Sequence, residues 1–403
     1  MQDPLADFSP HGFPLSAKEL TAYLETHVFP LEALLSAGRH EELAAGIAEV
    51  RQDVKARGAW APMAPRDVGG LGLPLTTQAH LGAILGRSPL GHHAFGAQAP
   101  DAANIELLHA FGTPAQKEQY LRGLVAGELR SCFAMTEPGH AGSNPTEMST
   151  IARRDGDGWV LDGSKWFATS AHGADFCVVM AVTNPTGPVY GRASLFIVPC
   201  GTPGFRHVRR VSVMGDEGAG YASHSELAFE GCRVSAEHRL GPEGGGFLLA
   251  QARLGPGRVH HCMRWVGVAE RCYDIMCARL VSRDIGGGKP LASRQLAQAW
   301  VAESRVDIDT SRLLVLDAVR QIEAHGTEGA RVPIAAIKLH VARALDRVMD
   351  RAVQALGALG MTDDTILAYL YRHERAARIY DGPDEVHMTT IARHELRRFG
   401  GAK

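Results

Sequence analysis

The chain has 403 residues, 45% of them hydrophobic, and a formal net charge of −2. That length allows a large core and two or three subdomains. The near-neutral charge, without a long basic run, argues against nucleic-acid binding, and no apolar run reaches the length of a membrane span.

In chain order, the opening Met1-Gln2-Asp3-Pro4-Leu5 lacks the basic and apolar regions of a secretory leader. Ser16 is a helix cap, followed by Leu20, Tyr23, Leu24 and Val28 on one face. A second helix is expected from about Glu41 to Arg57. Gly69-Gly70-Leu71-Gly72-Leu73-Pro74 then breaks the pattern, and Thr76-Thr77 can start the next helix. Thr113-Pro114-Ala115-Gln116 is another helix start, with Pro in the first turn.

The middle third changes character. Residues 175–182, 193–198 and 225–230 read as strands, separated by turn clusters such as Asn184-Pro185-Thr186-Gly187-Pro188. Several short strands suggest a β-sandwich or barrel. The last third returns to long amphipathic helices at about Pro256–Ser282, Arg294–His325 and Val332–Leu359, which usually pack as a bundle. The fold class is therefore α+β, with expected domains at 1–130 (helical), 131–240 (small β domain) and 241–403 (helical bundle). The seven cysteines (Cys132, Cys177, Cys200, Cys232, Cys262, Cys272 and Cys277) form no CxxC pair. They read as reduced, mostly buried thiols of a cytoplasmic protein, and no metal site is expected. The terminal Gly400-Gly401-Ala402-Lys403 is not a peroxisomal tripeptide.

Three stretches carry candidate chemistry. The first is Cys132-Phe133-Ala134-Met135-Thr136-Glu137-Pro138-Gly139-His140-Ala141-Gly142-Ser143-Asn144. Its hydroxyls and glycines could converge on a polar ring or a phosphate, or form no more than a capped turn. The second is Gly163-Ser164-Lys165-Trp166-Phe167-Ala168-Thr169. On a strand, Phe167 and Thr169 share a face that could stack on a flat heterocycle and hydrogen-bond it, whereas strict alternation turns Trp166 to the opposite face. Core packing is the alternative. The third is Arg378-Ile379-Tyr380-Asp381-Gly382-Pro383-Asp384-Glu385-Val386-His387, where Asp381 precedes a Gly-Pro break. Alone it reads as a turn residue or as a base at a helix junction.

Together, in order and spacing, these stretches resemble the acyl-CoA dehydrogenase superfamily (TEPxAGSD, GxKxWITN and a late IYEG segment). The likeness covers nearly the whole chain. Leu254-Gly255-Pro256-Gly257-Arg258-Val259-His260-His261-Cys262-Met263-Arg264 and the Gly-Pro-Asp-Glu-Val-His ending resemble one branch, with Asp at the base position and sometimes fused to a kinase-like domain. The resemblance implies an N-terminal helical domain, a small middle β-barrel or sandwich and a C-terminal four-helix bundle. It implies FAD as cofactor and an acyl-CoA substrate. Electron-transfer flavoprotein would be the acceptor and the assembly a homodimer or homotetramer.

By the same resemblance, Asp381 is the catalytic base and Arg258 supports it. Gly257 stands where another branch places its base. Phe133, Met135, Thr136, Gly142 and Ser143 would contact FAD, with Thr136 at the pyrimidine edge and Ser143 near the pyrophosphate. Asn144 replaces the usual Asp. Phe167 would pack on the flavin and Thr169 lie near N5. Arg283, in a loop that lacks the family's Phe, would reach the FAD of a neighbouring subunit. Gln295, Gln354, Gly357, Gly360, Pro383 and Glu385 complete the implied cofactor contacts. Gly360 also reads as a helix cap, Glu385 as a first-turn carboxylate, and Arg283 as an exposed loop residue. His260 and His261 read as cavity-lining or, more ordinarily, as packing groups. Gln98, Asp101 and Asn104 are polar candidates for the floor of an acyl pocket. A nitroalkane-type oxidase on this fold is the alternative activity. A DNA-binding flavoprotein of the alkylation-response type is a third, disfavoured by the charge.

Overall fold

The computed structural model describes residues 12–400. The expectations for residues 1–5 and for the C-terminal tripeptide lie outside the described residues. The chain forms two compact units interleaved in sequence. One comprises the residues up to Ala59, Leu73–Ala94 and those from Gly255 onward; the other comprises Trp60–Gly72 and Phe95–Leu254.

The first unit is helical. Ser16 caps Ala17–Tyr23 through a reciprocal box with Glu19, and Leu20, Tyr23, Leu24 and Val28 are buried as their spacing requires. Helix His40–Ala56 follows, and Leu75–Leu85 starts directly after Pro74 rather than at the threonines. Three long helices dominate: Gly246–Ser282 (in this unit from Gly255), Gln295–Gly329 and Arg331–Leu356. Val315, Val319, Ile337, Val341, Leu345 and Val348 are buried along the last two, which pack on each other. The third ends three residues before the expected Leu359, because Gly357 takes φ 64° at its C-cap. Two shorter helices, Leu367–Glu374 and Asp384–Arg397, close the chain, and the second packs on 331–356.

The second unit is a sheet with helices. Its strands are β1 (Ser131–Ala134), β2 (Ile151–Asp155), β3 (Gly158–Thr169), β4 (Phe176–Val182), β5 (Ala193–Pro199), β6 (Phe205–Arg210), β7 (His224–Ser235) and β8 (Arg239–Leu240). Their order is β6-β7-β3-β2-β4-β5-β8, with β1 parallel to β4. Strand β4 is buried on both faces. Phe176, Val178 and Met180 pack with Leu108, Tyr120 and Leu121 of the preceding helices. Cys177, Val179 and Ala181 pack with Trp159, Leu161, Leu227 and Phe229. One strand thus serves a helix-facing core and an inner sheet core, the period-two consequence of the pleat. All seven cysteines are unpaired, five of them buried. No helix of the described residues is long and apolar enough to cross a membrane.

Candidate active site

In the second unit, β1 delivers the chain into a loop built around a buried ion pair. Lys165 Nζ lies 2.8 Å from Glu137 Oε1, and both side chains are almost wholly buried. Lys165 also donates to the Met135 carbonyl, while Glu137 accepts from the backbone N–H groups of Ser149 and Thr150. Burial pushes the Glu137 carboxyl up, but the ammonium and these donors outweigh it and hold the acid below its ordinary value. The loop is thereby fixed from beneath. Above the pair, Met135, Thr136, Glu137 and Gly142 help to line a shallow cleft.

The hydroxyl of Thr136 donates to the Trp166 carbonyl (2.8 Å), and Trp166 N–H donates back to the Thr136 carbonyl (3.0 Å). Its single proton being engaged, the Thr136 oxygen is left to accept an N–H rather than to donate. Gly142 and Ser143 are exposed, and Asn144 closes an Asx turn on Thr146. Phe133, half-buried on β1, carries the Arg253 guanidinium 4.3 Å from its ring centre. Gln98, Asp101 and Asn104 are buried. Asp101 accepts from Ser131 N–H and Oγ, and Asn104 donates to Ser131 and Cys132 while accepting from Arg253. The last two brace the start of β1.

Strict alternation fails on β3. The register against β7 shifts between Lys165 and Ala168, and Phe167 takes φ 50°. Lys165 and Ala168 are both fully buried, so the two residues between them bulge outward. Trp166 therefore does not turn to the opposite face. Its ring meets Phe167 edge-on at 5.0 Å, and Phe167 remains 45% exposed. Thr169 is tied to His224, with Oγ1 to Nδ1 at 3.0 Å. His224 was not among the residues singled out from the sequence.

In the first unit, Asp381 sits in the turn before helix 384–397 with φ 54°, and Gly382 follows at φ 97°. Two consecutive left-handed residues form a strained turn. A side chain at Gly382 would fall 2.8 Å from His387 Nε2. Arg258 donates to the Asp381 carbonyl (3.1 Å), and His387 Nε2 lies 3.3 Å from the same oxygen. Lys338, fully buried on helix 331–356, donates to the carbonyls of Ala377 (2.6 Å) and Gly382 (3.2 Å). The Asp381 carboxylate is 19% exposed, and His261 Nε2 lies 3.3 Å from its Oδ2. Behind it, Glu374 accepts from Arg264 and Trp265, and the Tyr380 hydroxyl accepts from the same two groups. The base candidate and Arg258 are thus brought together. His261, Lys338 and His387 join them without having been predicted there. His387 had a sequence signal in the same motif and His261 one as a cavity-lining candidate beside Arg258, whereas Lys338 had none.

The remaining candidates lie elsewhere in this unit. Arg283 is exposed just past helix 246–282, without an ion-pair partner among the described residues, and Gln295 opens the next helix. Gln354 and Gly357 are exposed at a helix C-terminus. Gly357 is the cap. Gly360 is buried against Val353, where a Cβ would lie 2.7 Å from a carbonyl oxygen, so it serves close packing and not capping. Pro383 precedes helix 384–397, and Glu385 is exposed in its first turn beside Asp384, which Arg343 and Arg378 neutralise. Gly257 has open space where a side chain would start.

Three family models match: acyl-CoA dehydrogenase N-terminal domain over residues 16–128, middle domain over 132–232 and C-terminal domain over 244–396. The probable acyl-CoA dehydrogenase FadE2 of Mycobacterium tuberculosis is 41% identical across 96% of this chain and 97% of its own. The chain belongs to the acyl-CoA dehydrogenase family. Acyl-CoA dehydrogenase family member 10 of Mus musculus is 37% identical over 96% of this chain, but the match spans only 38% of that larger protein. A solved butyryl-CoA dehydrogenase from Megasphaera elsdenii superposes with a TM-score of 0.80 at 26% identity, over 94% of this chain and 98% of its own. Membership brings acyl-CoA dehydrogenation in general terms, as an FAD-dependent flavoprotein oxidoreductase. The residues fit such a cofactor. The exposed Phe167 ring stands two residues before the hydroxyl of Thr169, the Thr136 oxygen is left to accept an N–H, and Gly142 of the adjoining loop lies against Thr136.

Proposed function

We propose that this protein dehydrogenates an acyl-CoA thioester across its Cα–Cβ bond, with Asp381 as the base that takes the α proton. One observation carries the reading. Asp381 presents a mostly buried carboxylate and, in the same residue, a backbone N–H that no hydrogen bond among the described residues occupies. The reaction needs both. An α C–H beside a thioester is weakly acidic, and a donor on the carbonyl stabilises the charge that develops as the proton leaves. A carboxylate in a water-poor site is a stronger base than one in bulk water. FAD, when bound, supplies the acceptor for the β hydride.

Arg258 acts through the Asp381 carbonyl, so it is a positioning residue that sets the aim of the N–H and the carboxylate. Phe167 and Thr169 would orient the flavin ring, with Phe133, Met135 and Thr136 along its edge. Gly142 and Ser143 would take the pyrophosphate. Gln354, Gly357, Gly360, Pro383 and Glu385 would approach the adenosine end. Arg283 would serve the cofactor of a neighbouring subunit, which calls for a homodimer or homotetramer, and Gln295 on the next helix would be a further cofactor contact. Electron-transfer flavoprotein is the proposed acceptor and the cytoplasm the proposed location. Residues 130 and 240 are the proposed domain limits.

The test is an anaerobic titration with a panel of acyl-CoA thioesters, following flavin bleaching. Asp381→Asn should keep FAD and lose bleaching. Reduction at near wild-type rate would remove Asp381 from its role. The short Asp carboxylate also suits a stronger carbon acid, so a nitroalkane-type oxidase is the second reading. Oxygen uptake with nitroethane, without bleaching by any thioester, would select it.

A further inference from the structure

We infer that His261 is a positioning residue for Asp381: its Nε2–H stands against Oδ2, where a small turn of either group makes it a donor, which leaves Oδ1 to take the α proton. This rests on the assignment of Asp381 as base. Nε2 and Oδ2 are 3.3 Å apart, within reach of a hydrogen bond though not aligned as one in this structure, with His261 21% exposed. Arg258 and His261 are three residues apart on one helix and so share a face. The first bonds the main chain of Asp381 and the second lies against its carboxylate. A single helix face thereby sets both parts of the base.

The imidazole has little freedom of its own. It stacks on Trp265 at 5.9 Å and 24°, and meets Tyr380 edge-on at 5.2 Å. Both rings are pinned. Trp265 Nε1 donates to Glu374 (3.0 Å), and the Tyr380 hydroxyl accepts from Arg264 (2.9 Å). A ring held this way can present only one nitrogen to the carboxylate, and the tautomer protonated on Nε2 makes that contact a donor.

The charge balance supports the neutral form. The titratable and charged groups around His261 are Arg258, His260, Cys262 and Arg264 on its own helix, Lys338 on 331–356, and Glu374, Tyr380, Asp381 and His92. Burial is the largest influence and pushes the ring down to about 4. Asp381 and Glu374 oppose this, while Arg264 and Lys338 add to it. Near neutral pH the imidazole is therefore neutral, and the contact is not an ion pair. A hydrogen bond from its N–H favours the ionised, base-competent acid and fixes its rotation. When the α C–H bond breaks, the proton ends on Oδ1 and the imidazole keeps its own.

Two polar variants of similar size separate positioning from packing. In His261→Gln the amide nitrogen can reach the place of Nε2; in His261→Asn it stops at the place of Nδ1. H261Q should bleach within about threefold of wild type. H261N should slow by about 10- to 100-fold, the loss expected for one hydrogen bond to a charged group. The acid limb of its rate–pH profile should move to higher pH, with FAD content and melting temperature unchanged. Equal behaviour of the two variants, or an unmoved acid limb in H261N, overturns the inference. Asp381→Asn, run alongside, separates the failures. If it still bleaches, the base assignment falls. If it is dead while H261N is normal, only the role of His261 falls.

Discussion

The proposed cofactor edge of the β unit and the proposed base loop of the helical unit are built on opposite plans. At the first, the working groups are left open: Phe167 is nearly half exposed, Gly142 and Ser143 are bare, and the rigid part lies underneath, in the Lys165–Glu137 pair. At the second, the working residue is held from several sides. Arg258 and His387 grip its carbonyl, Lys338 grips the carbonyls on either side, and His261 lies against its carboxylate. The difference follows from what each must meet. A cofactor surface is completed by its ligand, so bonds made in advance would have to be broken on binding. A base must already point the right way when substrate arrives, since misplacement is paid in rate.

Several changes would break or sharpen this contrast. The largest effect should come from Asp381→Asn, which should cut the bleaching rate by about 10²- to 10⁴-fold with little change in melting temperature, as read by stopped flow and calorimetry. Next is Lys165→Met. Leaving the Glu137 carboxylate buried and unpaired should cost roughly 3–5 kcal/mol by urea unfolding and release FAD on dialysis. If K165M binds FAD normally, the pair does not shape the cofactor edge.

Acid should weaken the base loop selectively. Burial holds His261 and His387 at about 4, below the ordinary 6.5. Between those values the unfolded chain binds protons that the folded rings refuse. Stability should therefore fall as pH drops from about 6.5 to about 4, by up to about 3 kcal/mol per ring. Urea midpoints across that range check this, and H261Q or His387→Gln should flatten the slope. The smallest effect on stability should come from Phe167→Ala, within about 0.5 kcal/mol because the ring is exposed. Its FAD affinity should nevertheless drop measurably in a fluorescence titration. A stability loss much larger than that would mean the ring is structural and the edge is not open.

Local signals were the ones legible in the sequence. The helix starts at Ser16 and Thr113 could be read because a capping box lies within four residues. Strands β4 and β5 could be read because burial on both faces leaves an unbroken apolar run. Strand β6, Phe-Arg-His-Val-Arg-Arg, could not, since a half-exposed edge strand carries no such run. The outward turn of Trp166 depends on its register with β7, some 60 residues away, which no alternation rule contains. In the site, Asp381 was visible through its motif. Lys338 was not. On an amphipathic helix it reads as a surface lysine, and only the fold brings it to carbonyls 39 and 44 residues further on. The weight of His261 was missed for the same reason, its partner lying on a distant turn.

The unoccupied N–H of Asp381 belongs to the main chain, so no side-chain exchange short of proline can silence it. On the proposed mechanism, a protein crippled at this carboxylate would still hold the thioester oxygen. It should then behave as a trap, taking up its physiological ligand from a cell extract and handing it, chemically intact, to a mass spectrometer.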